Sequence, residues 1–597
     1  PTFCRPIAGQ ADMRSIFFIC LLCALPVQGK TLIEQAYEAG ILDIETALIY
    51  QVQGARDPDG LPAEYREVPV QPTCGTPLIL QALEAREQLS AAYGRRLGKL
   101  LARPGAEHEQ VTAEGHFRIH YDLKGSKAVD PQDDDGNGVP DYVDVVARTL
   151  EEVWNLQVTE LDFDRPPIDG GLGGGQEYDV YIAELGRGGA YGFTYPETGG
   201  NTSYSYLELD NNYTDPIYRQ TKGIEALQVT VAHEFNHAIQ FGYYQGSDGI
   251  WWQEATSTWM EEVAYPEVDD YLQYLPSFLL SPEKSLDSGN RFSSDFHIYG
   301  ASIFAHFLGQ KYDPTLVRNI WEEFGRRTNA RIENFDRVLD QEVKGGLEEA
   351  VSEFAVWNYF TGHRHREGYY HEGDKYPATR LRDVHIDPSA PKVAVEYTDQ
   401  VDHLASTYLH LEPQLLTGGV TIDFSALRGQ WNPQLILVSR EETEVRPVGG
   451  LPIILPSWDQ YQDVVLVLTV EDQTGLAFEY SASIEYDPDL IGGPLPTALH
   501  LGQNYPNPFQ PEVHGQTIFP FALDAGSAAT RLSIFAVDGR LVWRSKMLEN
   551  LSPRTYVQPW NGTNQQGETV GSGIYYGVLE ADGRRMMRSL AVTRGGE

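Results

Sequence analysis

Two histidines four residues apart, His233 and His237, flank Glu234 in the stretch VTVAHEFNHAIQF. On a helix, positions i and i+4 are neighbours, so both imidazoles stand on one face and can share a metal ion such as zinc. Glu234, about 100° further round, can reach a water on that metal. The same spacing also arises by chance, and two buried histidines can be satisfied by carboxylates or carbonyls alone. A helix is expected because Leu227, Val231, Phe235 and Ile239 recur at a spacing of four and form one apolar stripe. A second segment, WWQEATSTWMEEV, repeats the pattern with Trp252, Ala255, Trp259 and Val263. Glu254 lies on another face of that helix, 17 positions after His237, with Glu261 two turns further along the same side. A catalytic zinc site needs a third protein ligand and one open position for water. Glu254 is the first candidate for that ligand and Glu261 the second.

A second group of metal-type residues is the acidic run DDDGNGVPDYVD, Asp133 to Asp144. It fits a twelve-residue calcium loop. Asp133, Asp135 and Asn137 take positions 1, 3 and 5, Gly138 the turn, and Val139 offers its carbonyl. Asp141 stands at position 9 and Asp144 where Glu is usual, a shorter side chain that weakens affinity. A solvated acidic turn is the plain alternative. Val143, Val146, Leu150 and Trp154 predict a helix leaving the loop, whereas a strand pattern precedes it. The loop therefore resembles thrombospondin-type and dockerin-type loops rather than a full EF-hand.

These groups need several domains to position them. At 597 residues the chain is too long for one core and calls for about three or four domains. Its 85 acidic and 45 basic residues give a net charge of −40, which repels phosphate backbones and argues against a nucleic-acid partner. Residues 1–12 read as upstream of the native protein, and 13–29 (MRSIFFICLLCALPVQG) as a secretory signal too short to span a bilayer. No transmembrane segment is expected in the mature protein. Removing the signal takes Cys4, Cys20 and Cys23 with it and leaves Cys74 alone, so metal ions rather than disulfides are the expected staples. Residues 30–108 carry helical spacing over 31–53 and 78–103 and form a candidate propeptide. In 109–387, the strands HFRIHYDL, EYDVYIAEL and SYLELD mix with helices that dominate from Gly223 to Thr361. Short alternating strands follow over 388–487, which predicts a β-sandwich. A Pro/Gly linker over 488–500 leads into a last β-module, 501–597, with a hairpin turn at Asp538-Gly539.

With these residues in place, the chain resembles the gluzincin metallopeptidases, which join HExxH to a glutamate on a second helix. It is more similar still to a secreted bacterial metalloprotease family of the myxobacterial type. The similarity runs through DxNGVPDYVD, YDVYI, AHEFNHAIQFGY, WWQEATSTWMEE and YGASIF, over about residues 115–320. It implies a zincin-like α+β catalytic domain with His233, His237 and Glu254 as zinc ligands and Glu234 as general base. Tyr299 in FHIYGASIF resembles the oxyanion-steadying tyrosine of related aminopeptidases, with His297 as the alternative. The implied activity is hydrolysis of a protein or peptide substrate. LGQNYPNPFQP and WNGTNQQGETVGSGIYYGVLEADG closely resemble the C-terminal sorting domain of type IX secretion, an Ig-like β-sandwich. That resemblance implies the type IX machinery as partner and export through the outer membrane, to a secreted or cell-surface location. The competing function is a cell-surface β-sandwich adhesin or polymer-binding protein with an inactive zincin domain.

Cys74, in QPTCGTP, is the remaining candidate. The text partly resembles the cysteine switch of matrix metalloproteases, with Thr73 in place of the usual Arg and no Asp after Pro77. A thiolate is a strong zinc ligand and would displace a catalytic water. Burial in an apolar core would protect the thiol equally well.

Overall fold

Among the described residues four α-helices precede the first strand, and side-chain caps mark the starts of three of them. α1 (Leu32–Glu38) opens with a capping box between Thr31 and Glu34, and Asp43 caps α2 (Ile44–Arg56). The 31–53 pattern reads as one helix, but Gly40 takes a left-handed φ of 69° and ends the first helix early. The 78–103 pattern likewise divides into α3 (Thr76–Ala85) and α4 (Ala91–Leu100). Ser90 caps α4, and Glu45 holds Ser90 through its backbone N–H and hydroxyl.

The computed structural model describes residues 31–67, 73–86, 88–289, 296–387, 391–413, 418–439, 442–488, 490, 498–551 and 555–594. The expected upstream and signal segments, 1–29, lie outside these, as does most of the expected linker. Among the described residues no helix is long and apolar enough to cross a membrane. The chain forms two compact units. The first runs to Gln253 and adds Met260–Asp270 and Gly289–Ile298; the second holds Glu254–Trp259, Tyr271–Ser288 and Tyr299 onward.

In the first unit, β1 (His108–Val111), β2 (Phe117–Tyr121), β3 (Tyr178–Ala183), β4 (Gly192–Pro196) and β5 (Ser205–Asp210) form one mixed sheet. Its order is β1-β2-β3-β5-β4, with β2, β3 and β5 parallel and both edge strands antiparallel to their neighbours. α5 (Asp141–Trp154) makes the crossover from β2 to β3. Side-chain alternation sorts the two faces. Tyr181, Phe193, Tyr195 and Tyr206 pack against Val52 of α2, Ile79 of α3 and Leu97 of α4, so the N-terminal helices share a core with the sheet. The opposite face takes α6 (Gly223–Tyr243), where Phe235 meets Phe117 of β2 at 5.2 Å and Trp154 of α5 at 5.6 Å. The apolar stripe predicted for α6 is fully buried, and so is everything else from Val229 to Phe241. Its polar side chains must therefore find partners inside the protein.

The second unit contains α8 (Ser302–Lys311), α9 (Thr315–Arg327), α10 (Ile332–Glu342) and α11 (Gly346–Tyr359). Two β-regions follow. Between Arg382 and Asp487, a five-stranded and a four-stranded sheet share a core in which Leu409, Leu437 and Leu466 of one meet Ile422, Leu455 and Ile484 of the other. α11 covers the outer face of the five-stranded sheet, with Ala355 and Tyr359 against Tyr408, Ile436 and Val467. From His500, two further sheets close over Phe519, Phe521, Leu532, Ile534, Trp560 and Leu579. The Asp538-Gly539 hairpin is present, with Gly539 at φ 81°. The whole is a multidomain, mixed α+β chain, helical at its N-terminal end and β-rich at its C-terminal end.

Candidate metal centre

α6 carries His233 and His237 on one side, their rings 4.9 Å apart, and each ring is held from behind. His233 Nδ1 lies 2.6 Å from Glu261 Oε1, and His237 Nδ1 lies 2.8 Å from Gln240 Oε1. In both pairs the imidazole N–H donates from Nδ1, which leaves the Nε2 lone pair directed to the front. Gln240 is itself fixed: its amide donates to Asn236 Oδ1 (2.6 Å) and to the Gln253 carbonyl (3.1 Å). Asn236 donates onward to Gln157 Oε1 at 3.1 Å, and Gln157 donates to the Ala232 carbonyl at 2.9 Å. This chain of amides answers the polar demand of a buried helix and locks the orientation of His237.

α7 (Ile250–Ala264) is one unbroken helix carrying both candidate carboxylates, buried throughout from Ile250 to Glu261. Two turns separate Glu254 from Glu261 on one side of it. Glu261 stands behind His233, whereas Glu254 offers its carboxylate to the cluster. The ligand atoms of Cys74, His233, His237 and Glu254 all lie within 4.8 Å of one another, and all four residues are buried. This buried group can hold a metal ion. Its donors, two imidazole nitrogens, a carboxylate oxygen and a sulfur, are the set that zinc accepts.

Glu234 occupies the next position round α6 and is 1% exposed. Its Oε2 is 2.7 Å from Thr194 Oγ1 on edge strand β4 and 3.0 Å from Thr76 Oγ1 at the start of α3. Its Oε1 is buried and has no hydrogen-bond partner among the described residues, an orphaned acceptor beside the histidines. Close approach of α6 to β4 depends on Gly192, where a Cβ would stand 2.7 Å from Glu234 Cγ and 2.8 Å from Thr230 Cγ2. Thr194, Thr76 and Gln240 were not picked out by the sequence reading. Only Gln240 had a local signal, three positions after His237 on the same helix.

The acidic loop closes on itself. Asp133 accepts from Gly136 N (2.8 Å), Asn137 N (3.1 Å) and Gly138 N (2.9 Å). These N–H groups, Gly138 first, hold its carboxyl below the usual carboxylate range. Asn137 Nδ2 donates to Asp135 Oδ2 (3.2 Å) and Asp144 Oδ2 (2.9 Å), drawing positions 3, 5 and 12 together. Asp141 Oδ1 accepts from Asp134 N at 2.9 Å, and Val139 N bonds to Asn137 Oδ1 at 2.7 Å. Gly138 takes φ 91°, the turn expected of it. The exit helix is α5, with Val143, Val146 and Leu150 buried. Tyr299 lies in the second unit, 6% exposed and stacked on Tyr274 at 5.0 Å.

Residues 112–385, less than half of the chain, match a family described as of unknown function (DUF6055). No curated protein matches the chain significantly. Among solved structures, the type IX secretion surface component PorZ of Porphyromonas gingivalis is 19% identical, covering 27% of this chain and 22% of its own, with a TM-score of 0.14. A β-glucuronidase of Parabacteroides merdae is 11% identical over 30% of this chain and 26% of its own, with a TM-score of 0.12. The chain thus spans about a quarter of each of these relatives.

Proposed function

We propose that this protein is a secreted, zinc-dependent endopeptidase of gluzincin type, with His233, His237 and Glu254 as the metal ligands and Glu234 as the general base. The observation that carries this reading is the meeting of two oriented imidazoles and a carboxylate beside an orphaned glutamate oxygen in the interior. Zinc bound there would supply Lewis-acid activation of water and of the peptide carbonyl. Glu261 and Gln240 keep both imidazoles in the ligating tautomer. Thr194 pins Glu234 Oε2, so Oε1 is the atom that takes the proton from the attacking water and returns it to the leaving amine. β4 is the outermost strand of its sheet, where an extended substrate can add. Tyr299 is proposed to steady the oxyanion.

The acidic loop is read as a calcium site that braces the entry to α5. The last β-region is read as the Ig-like sorting module of type IX export, and the 388–487 sandwich as an accessory domain. Glu234→Gln tests the central reading. Zinc stays bound, and casein hydrolysis falls by about 10²–10⁴-fold, the usual worth of a general base. Full hydrolysis by that variant, or hydrolysis indifferent to a chelator, sinks it.

One observation favours the competing reading of an adhesin with an inactive zincin unit. The Cys74 sulfur lies within the cluster, and four protein ligands are the mark of a closed, structural site. Zymography with and without a chelator separates the two readings once the Cys74 contact is broken.

A further inference from the structure

We propose that Thr73–Thr76 is a built-in inhibitor of the metal centre, with the Cys74 sulfur as its fourth ligand; the proposal rests on the metal-binding reading above. The first support is a distance. Zinc–sulfur and zinc–nitrogen bonds of about 2.3 and 2.05 Å at a tetrahedral angle put the two ligand atoms about 3.5–3.6 Å apart. Cys74 Sγ and His237 Nε2 are 3.5 Å apart. The second support is the setting of the sulfur. Thr76 N donates to it at 3.3 Å, and this is the first amide of α3, so the sulfur is held in place beside the cluster. On binding the metal, the thiol proton leaves to solvent.

The other two supports concern the rest of the machinery. Thr76 Oγ1 accepts from Thr194 N at 2.8 Å and donates to Glu234 Oε2 at 3.0 Å, so the same segment is tied to the base residue through the oxygen that Thr194 also holds. Its backbone pairs with the outer edge of β4 and the residues just before it. Thr73 N donates to the Gly189 carbonyl (3.2 Å), Tyr191 N to the Thr73 carbonyl (3.0 Å) and Gly75 N to the Gly192 carbonyl (3.0 Å). That edge is where an added peptide strand would lie. The fit leaves no room at Gly75, where a Cβ would stand 1.9 Å from Phe193 Cε1. Four residues thus take the fourth ligand position and the strand edge together while bonding to Glu234, and α3 anchors them to the sheet through Ile79 and Ala82.

The test uses the full chain loaded with cobalt(II) in place of zinc. Wild type should show tetrahedral visible bands together with an intense near-ultraviolet sulfur-to-cobalt band. Cys74→Ser should keep the visible bands, lose the near-ultraviolet one, and hydrolyse labelled casein at least about tenfold faster, as expected if under a tenth of the wild type is open. Gly75→Ala retains the thiol but expels the segment from β4, so it should lose the same band and gain the same activity. A cobalt-loaded wild type without the sulfur band overturns the proposal and leaves the metal-centre reading standing. A sulfur band accompanied by no gain of activity in either variant overturns the inhibitory role, because the sulfur is then a structural ligand. Failure of the wild type to bind cobalt removes the metal-centre reading and this proposal with it.

Discussion

Glu261 stands behind His233 rather than in the buried cluster, and its replacement should weaken the proposed metal site by a calculable amount. Its Oε1 stands 2.6 Å from His233 Nδ1, and both side chains are 6% exposed. A buried hydrogen bond to a charged group is worth about 1.5–3 kcal/mol. At about 1.4 kcal/mol per decade, that is roughly one to two decades in zinc affinity. Partners behind ligating histidines in general contribute about 10–100-fold, so two separate routes give the same range. Glu261→Gln keeps an oxygen that can accept from Nδ1 but removes the charge, and should fall near the lower end. Glu261→Ala also strands the Nδ1–H in the interior, so it should fall near the upper end and lower the melting temperature as well. Zinc competition against a chromogenic chelator reads the affinity, and circular dichroism confirms that the variants are folded. Two folded variants that bind zinc within twofold of wild type would refute the orienting role and the tautomer assignment with it.

Three other outcomes are expected. Gly192→Ala brings a methyl to 2.7 Å from Glu234 Cγ. Normal carbon contact begins at about 3.5 Å, so Glu234 must move by about 1 Å, a misplacement that can cost about a hundredfold in turnover. Gly199→Ala, with nothing within 4 Å of the new methyl, should change nothing, and equal losses in the two variants would contradict the steric account. Calcium at about a hundred times its dissociation constant should stabilise the first unit by about 2.7 kcal/mol. Asp135→Ala and Asp144→Ala should abolish that gain; a wild type indifferent to calcium identifies the loop as a plain acidic turn. His410 is raised above 6.5, first by its bond to Asp463 and then, against burial, by its bond to Asp383, while Asp463 is held below 3.8 chiefly by His410. The His410 contribution is therefore complete below 6.5 and lost as pH rises through its raised value. The Asp463 contribution is present above 3.8 and lost as pH falls through its lowered one. His410→Gln should flatten the alkaline loss in urea melts of the sandwich, and an unchanged pH profile counts against the pairing.

The sequence by itself determined what local periodicity can encode. A spacing of four placed His233 and His237 on one face, and a twelve-residue register located the acidic loop. Alternation marked β2 and β3, and SYLELD read as a further strand at β5, whereas GFTYP of β4, short and holding a glycine and a proline, carries no such pattern. Choosing between Glu254 and Glu261 lay beyond such patterns, since both share one side of α7 and only the course of that helix past α6 gives them different partners. Nor could a pattern pair Thr76 or Thr194 with Glu234, or bring Cys74 to His237 across 163 positions of chain. Those meetings are set by strand order, by the docking of α3 on the sheet, and by two glycines that let backbone and side chains close up. Spacing along an element fixes which residues face the same way; only the packing of distant elements decides what they face.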